Sequence, residues 1–233
     1  MNSAPADSLS PAASLSLAAA RSRPVATADT RILEVPGALG GCFPQPGLRR
    51  GSTLVIGSAS GGVSLALSLA AAATAEGAWV AAVGLPSLGL VAAAELGVNL
   101  DRLALVPVPG DRWPGVAAAL LDGMGLLLLG LPGRVRSVDA RRLVARAREQ
   151  GTVLVVLEPA GMRCWPEGPD LRLSVASTTW DGLGTGHGYL QSRRLEVVVT
   201  GRRAAARERR AVLRLPPVLP GPAPDLTRPA LVS

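Results

Sequence analysis

The sequence predicts an α/β fold: a mainly parallel sheet covered by helices on both faces, with an antiparallel edge at its C-terminal end. Three observations carry this prediction. Largely apolar runs such as Ser52–Ile56, Leu126–Leu129 and Thr152–Leu157 read as strands buried on both faces. Between them lie Ala/Leu-rich or amphipathic segments stopped by glycine, the alternation that builds a sheet of crossover-connected strands. From Leu171 the alternation ceases, and Leu171–Ser177, Gly188–Thr200 and Ala211–Leu215 read as three successive strands, an antiparallel extension at one sheet edge.

Composition agrees with a covered sheet. Hydrophobic residues make up 48% of the 233 and mean hydropathy is +0.33, yet aromatics are only 3%, so the apolar content is Ala, Leu and Val. Such residues fill a sheet buried between helices. No stretch long enough for a membrane helix is free of proline, glycine clusters or charge. The N-terminal apolar patch precedes Arg21 and Arg23, the reverse of a secretory signal. Cys42 and Cys164 are far apart and the single histidine is alone, which argues against a metal site or a disulfide framework and for a reducing cytoplasm. All 24 basic residues are arginine and the net charge is +7, a balance compatible with nucleic acid or an acidic partner.

Taken in order, residues 1–29 are Ala/Ser/Pro/Thr-rich and read as a tail, residues 30–215 as one core domain, and residues 216–233, with six prolines, as a second tail. Ile32–Val35 is an extended entry, and Gly37–Gly51 a turn-rich approach to the first core strand. A helix over Gly62–Glu76 places Leu65 and Leu69 one turn apart and ends at Gly77. The second strand covers Ala78–Val83, a short helix Leu88–Leu96, and the third strand Leu103–Val108. A helix over Val116–Asp122 precedes the Leu126–Leu129 strand. A basic helix, Asp139–Gln150, leads through Gly151 into the Thr152–Leu157 strand.

The strand–glycine turn–helix at Ser52–Ala73 carries the layout of a phosphate-binding loop, G-x-x-x-x-G-K-[ST]. Gly57, Gly62 and Ser64 occupy the conserved-type positions of the pattern, and Val63 stands where the lysine belongs. Backbone N–H groups and the helix N-terminus hold phosphate in such a loop, while the lysine neutralises the β and γ groups. Valine supplies neither charge nor donor, and no lysine elsewhere can replace it. The motif is a degenerate P-loop.

These features together resemble the RecA-type ATPase core over roughly Gly47–Leu215. The resemblance rests on Gly47-Leu-Arg-Arg-Gly51, the loop, and Glu95-Leu-Gly-Val-Asn-Leu-Asp-Arg-Leu103. It implies that Leu85 stands at the catalytic carboxylate position, Gly130 at the metal-binding aspartate, and Glu158-Pro159, with Pro159 taken as the position, at the γ-phosphate sensor. Four losses leave little means for phosphoryl transfer, which depends on positioning and charge neutralisation. Asp122 and Asp139 read as ordinary helix-edge charges. Within that family the chain is similar to the ImuA′-type accessory proteins of bacterial mutagenesis cassettes. That similarity implies an SOS-induced, non-catalytic, cytoplasmic scaffold without a cofactor. It would work with an ImuB-like inactive Y-family polymerase relative and, through it, an error-prone replicative-type polymerase in translesion synthesis. The alternative is an ATP-dependent DNA-binding recombinase or regulatory ATPase whose site uses arginines.

The C-terminal strands carry Arg193, Arg194, Arg202, Arg203, Arg207, Arg209, Arg210 and Arg214. The segment is either a solvated hairpin, a surface for nucleic-acid phosphates, or a docking site for an acidic partner. Little aromatic interleaving accompanies it, which disfavours recognition of single-stranded bases. Gly182–Gly188 joins two strands without opening a helix and reads as a hairpin loop instead of a dinucleotide site. His187 reads as a structural polar residue. Trp113, Trp165 and Trp180 lie by expected loops, where packing is the commoner role than anchoring a partner.

Overall fold

The computed structural model describes residues 32–43, 47–57, 61–184, 187–202 and 206–216. The two expected tails, residues 44–46, loop residues 58–60 and Arg203 lie outside them, apart from the few tail-adjacent residues named. Strand β1 (Ile32–Leu33) pairs antiparallel with β2 (Leu48–Arg49), and the short helix α1 (Gly37–Gly40) lies between them in the chain. The extended entry at Ile32–Val35 is therefore half of a small separate ribbon.

The eight-stranded main sheet is built from β3 (Thr53–Gly57), β4 (Val80–Val83), β5 (Leu103–Val106), β6 (Leu126–Gly130), β7 (Val153–Glu158), β8 (Leu171–Gly184), β9 (His187–Gly201) and β10 (Arg209–Leu215). Their spatial order is β10-β9-β8-β3-β7-β6-β4-β5. Every neighbouring pair from β8 to β5 is parallel, whereas β8/β9 and β9/β10 are antiparallel. The mixed sheet with an antiparallel edge thus agrees with the sequence expectation.

Strand alternation sorts the apolar runs into two layers. Leu54, Ile56, Leu126, Leu128, Val153 and Val155 meet helix α2 (Gly62–Ala75), which buries Leu65, Leu69, Ala70 and Ala73. Val55, Leu127, Leu129, Leu154 and Val156 meet α4 (Trp113–Leu120) and α5 (Ser137–Gln150) on the other face. The short α3 (Leu90–Glu95) joins the first layer through Ala93. Each fully buried leucine contributes about 1.5–3 kcal/mol, and this pair of layers supplies most of the driving force. Arginines of α5 face outward, where Arg146 meets Asp122 at 2.6 Å, and Arg136, just before the helix, meets Asp139 at 2.7 Å. Both aspartates are the helix-edge charges expected of them.

Glycines at the helix ends act as the pattern requires. Gly151 ends α5 with φ 70°, a left-handed conformation that costs a side-chain-bearing residue about 1–2 kcal/mol. Both cysteines are buried free thiols.

One element is longer than its sequence pattern indicated. β8 runs to Gly184 and β9 starts at His187, so most of the expected Gly182–Gly188 loop is strand. Cross-strand pairing continues through Thr178, Thr179 and Trp180, good strand formers, and irregularities at Val175/Ser177 and Asp181/Leu183 let it pass the glycines. β3 pairs with β8 only over Leu171–Leu173. Residues 174–184 with their β9 partners therefore stand beyond the carboxyl end of β3 as an arm, roughly 35 Å long at strand rise.

Candidate functional site

The parallel strands end along one edge, and the positions expected for a nucleotide site fall there. Gly57 closes β3, Glu158 closes β7, Gly130 closes β6, and Leu85 follows β4. Gly57 and Glu158 are register partners. The topology therefore brings Gly57, Gly62, Val63, Ser64, Leu85, Gly130 and Pro159 to one edge of the sheet. Ligands of open parallel sheets sit at such carboxyl edges.

Chemically the edge is closed. A Cβ on Gly62 would strike the carbonyl oxygen of Gly57, so the turn into α2 admits only glycine. Gly61 precedes it with φ 120°, a conformation L side chains rarely adopt. Val63 is half-buried and packs against the core layer under α2. Leu85 packs on the same layer. A Cβ on Gly130 would strike the carbonyl oxygen of Gly84 and come within 2.5 Å of Leu85 Cδ2. A carboxylate at position 130 thus has no room without moving backbone.

Glu158, the acid beside Pro159, is almost fully buried and committed. Its Oε1 accepts from the backbone N–H groups of Cys164 and Trp165, each at 2.9 Å, and its Oε2 from Arg172 Nη1 at 2.6 Å. A buried carboxylate is tolerable only when its lone pairs are filled in this way. The consequence is structural: Glu158 anchors the loop leading to β8 and buries Trp165, leaving no free oxygen toward the edge. Pro159 has no N–H to offer.

Arg193 was grouped by sequence with the C-terminal arginines, yet it is the one that reaches the loop. It lies on the α2 side of β9, and its Nη1 donates to Ser64 Oγ at 3.3 Å. Its guanidinium carbon sits 4.9 Å from the Trp180 ring centre, a cation–π arrangement. Burial pushes its pKa down from the ordinary arginine value, although a guanidinium keeps its proton. Its Nε is buried with no hydrogen-bond partner among the described residues. A Cβ on Gly61 would lie 2.7 Å from Arg193 Nη2, so the missing side chain makes room for the guanidinium. Half-exposed Trp180 thus has a partner within the chain, whereas Trp165 is buried and Trp113 packs on the α4/α5 layer.

The remaining arginines do not form one patch. Arg194 and Arg214 share Asp181 at 3.9 and 3.6 Å, and Arg214 Nε also donates to Ser192 Oγ. Arg210 meets Glu196 at 2.8 Å and Glu208 at 2.9 Å. Arg210, first, and Ser177 hold the Glu196 carboxyl below the usual glutamate range. Arg202 sits at the amino end of β8, its N–H bonded to Asp170 O and its guanidinium against Gly168. Arg207 and Arg209 line a cleft beside Cys42. The cluster in sequence becomes at least three surfaces in space, because successive strand residues alternate between faces.

Sequence reasoning missed the Arg193–Ser64 contact, the arm and the Glu158–Arg172 pair. A regular hairpin closing at Gly184 and His187 would place Trp180 opposite Gln191; the register shift at Asp181/Leu183 makes Arg193 its partner instead. Neither that shift nor the contact with a loop 129 residues away has a signal in the sequence. Among the described residues, no group of three or more His, Cys, Asp or Glu is placed to hold a metal ion. No helix among them is long and apolar enough to cross a membrane.

Comparison with known proteins places this geometry in a family. A family model described as the MT3502 N-terminal domain matches residues 41–167, from the approach to β2 through the loop after β7. A 104-residue stretch is 50% identical to the uncharacterized protein Rv3395c of Mycobacterium tuberculosis, covering 44% of this chain and 51% of that protein. The chain thus spans about half the length of the curated relative it matches. The arm and β10 lie beyond the residues that the family model matches.

Proposed function

This chain belongs to the MT3502 N-terminal domain family, and on that premise we propose that it is a non-catalytic, RecA-like accessory subunit of a DNA-damage-induced mutagenic translesion-synthesis complex. In this reading the chain holds an ImuB-like polymerase relative by its surface. The sheet is kept as a scaffold and its old nucleotide edge is filled. The observation that carries the reading is at Gly130: a side chain there would collide with the Gly84 carbonyl and Leu85, so the metal-binding carboxylate of a phosphoryl-transfer site cannot be accommodated. Val63 packed on the core and Glu158 locked by three donors point the same way.

The test uses the full chain. Phosphate release from Mg-ATP should equal the no-protein control, and Val63→Lys should leave it there, because positions 85 and 130 still lack carboxylates. Co-purification with the ImuB-like partner should occur and should be lost on deleting residues 201–233 or 1–35 from a chain that stays folded. ATP-dependent filaments on single-stranded DNA, with that partner ignored, would overturn the reading.

A second reading has one observation in its favour. Arg193 puts a cation beside Ser64, where the lysine of the motif would act, so a regulatory ATPase using arginine stands as the alternative. It requires Mg-ATP binding that is lost in Arg193→Ala.

A further inference from the structure

The outermost strand, β10, is hydrogen-bonded to β9 on one side, and among the described residues it pairs with no other strand. Beside its first residues lies a cleft of about 550 Å³ whose other wall is α1 and the turn after it, including Ala38, Gly41 and Cys42. Arg207, Arg209 and Arg210 project around this cleft, against one acid, Glu208. Glu208 is already bonded to Arg210. Arg207 and Arg209 form no ion pair among the described residues, and Arg207 is exposed. Farther along the strand Val212 is 55% exposed and Arg214 is exposed as well.

From this arrangement we propose that the β10 edge and its cleft form a docking site for an acidic, extended peptide segment of a partner protein. The segment adds as a further strand beside β10 and places its carboxylates on Arg207 and Arg209. Strand addition uses the outward N–H and C=O groups of an edge strand, while side chains supply selectivity. Charge complementarity selects the occupant. Antiparallel two-fold pairing with a second copy about Val212 would set Arg210 opposite Arg214 of that copy, and like charges directly opposite each other are unfavourable. A nucleic-acid backbone offers acceptors only, leaves the outward carbonyls unanswered and meets the Glu208 carboxylate. Among the described residues, no aromatic side chain lines the cleft to stack a base.

The inference rests on the scaffold reading and names the chemistry of the partner it holds. The cleft is beyond the residues that carry the loop and its edge, so the two can be separated by experiment. The probe is a short fluorescein-labelled peptide of alternating Glu and Val, titrated onto the full chain by fluorescence anisotropy. Controls are the same peptide N-methylated at every residue, which blocks both of its hydrogen-bonding edges, a Gln/Val version, and a single-stranded oligonucleotide.

The Glu/Val peptide should bind saturably. The double change Arg207→Glu with Arg209→Glu should weaken it about tenfold or more, as truncation of a charged docking contact does. N-methylation should abolish binding at unchanged charge, and the Arg209–Leu215 amides should exchange more slowly with peptide present. Equal binding of the methylated peptide would overturn strand addition. An oligonucleotide that binds and is lost in the double variant, with the peptide ignored, would assign the cleft to nucleic acid and overturn the proposal. Turnover of Mg-ATP bears on the scaffold reading alone; a chain inert to ATP that also ignores the peptide loses the cleft and keeps the scaffold.

Discussion

Glu158, which the sequence sets beside the expected γ-phosphate-sensor position at Pro159, has both carboxylate oxygens occupied by three donors. Its removal should therefore be felt as stability. Glu158→Ala leaves Arg172 unpaired and two backbone N–H groups without an acceptor, a loss of about 3–5 kcal/mol by analogy with broken buried pairs. Urea unfolding followed by far-ultraviolet circular dichroism should show a lower midpoint with an unchanged slope. A midpoint within error of the parent would mean that the pair is dispensable. Arg193 makes the opposite passage, from an ordinary member of a basic cluster to the cation against Ser64.

The arm is the element that sets this sheet apart from a plain covered α/β core. Its base is tied down: Thr53 N–H donates to Asp170 Oδ2 at 2.9 Å, and Leu171–Leu173 pair with β3. Farther out, pairing is with β9 alone, and β10 backs β9 only over Arg193–Val199. Two-stranded ribbons have little apolar cover and open locally at low cost. Hydrogen exchange should thus grade along β8, with the amides of Leu171 and Leu173 the slowest and those of Asp181–Gly184 the fastest. Uniform protection along the strand would indicate that another surface covers the arm. Trp180→Ala should speed exchange further around Arg193, since the ring contributes about 0.5–1 kcal/mol of cation–π attraction at a half-exposed site.

At the scale of the whole molecule, the question is whether the fold senses nucleotide at all. A ligand that binds the native state stabilises it by RT ln(1 + [L]/Kd), about 4 kcal/mol when its concentration is a thousandfold above Kd. An intact nucleotide site would therefore raise the melting temperature clearly in millimolar Mg-ATP. With Gly130 unable to accept a side chain and Val63 packed inward, no shift is expected in thermal unfolding. A shift that disappears in Arg193→Ala would instead support the arginine-based alternative.

The sequence by itself determined the class of fold, the helices on both faces and the antiparallel edge, because buried runs, amphipathic spacing and glycine stops are local signals. Leu126–Leu129 could be read as a doubly buried strand without knowing its neighbours, and Gly151 as a helix stop without knowing the next strand. The identities of Val63, Leu85, Gly130 and Pro159 are local facts of the same kind, whereas their match to phosphoryl-transfer positions is what the resemblance to the RecA-type core implies. Only the tertiary structure decided the strand order, which brings those positions to one edge, and the length of β8, whose pairing overrides its glycines. It alone revealed that Arg193 meets Ser64 while Arg202 sits at the far end of β8 and Arg207 and Arg209 line a cleft. The reason is geometric: alternation along a strand sends neighbours in sequence to opposite faces, so a run of arginines says nothing of which surface each one reaches.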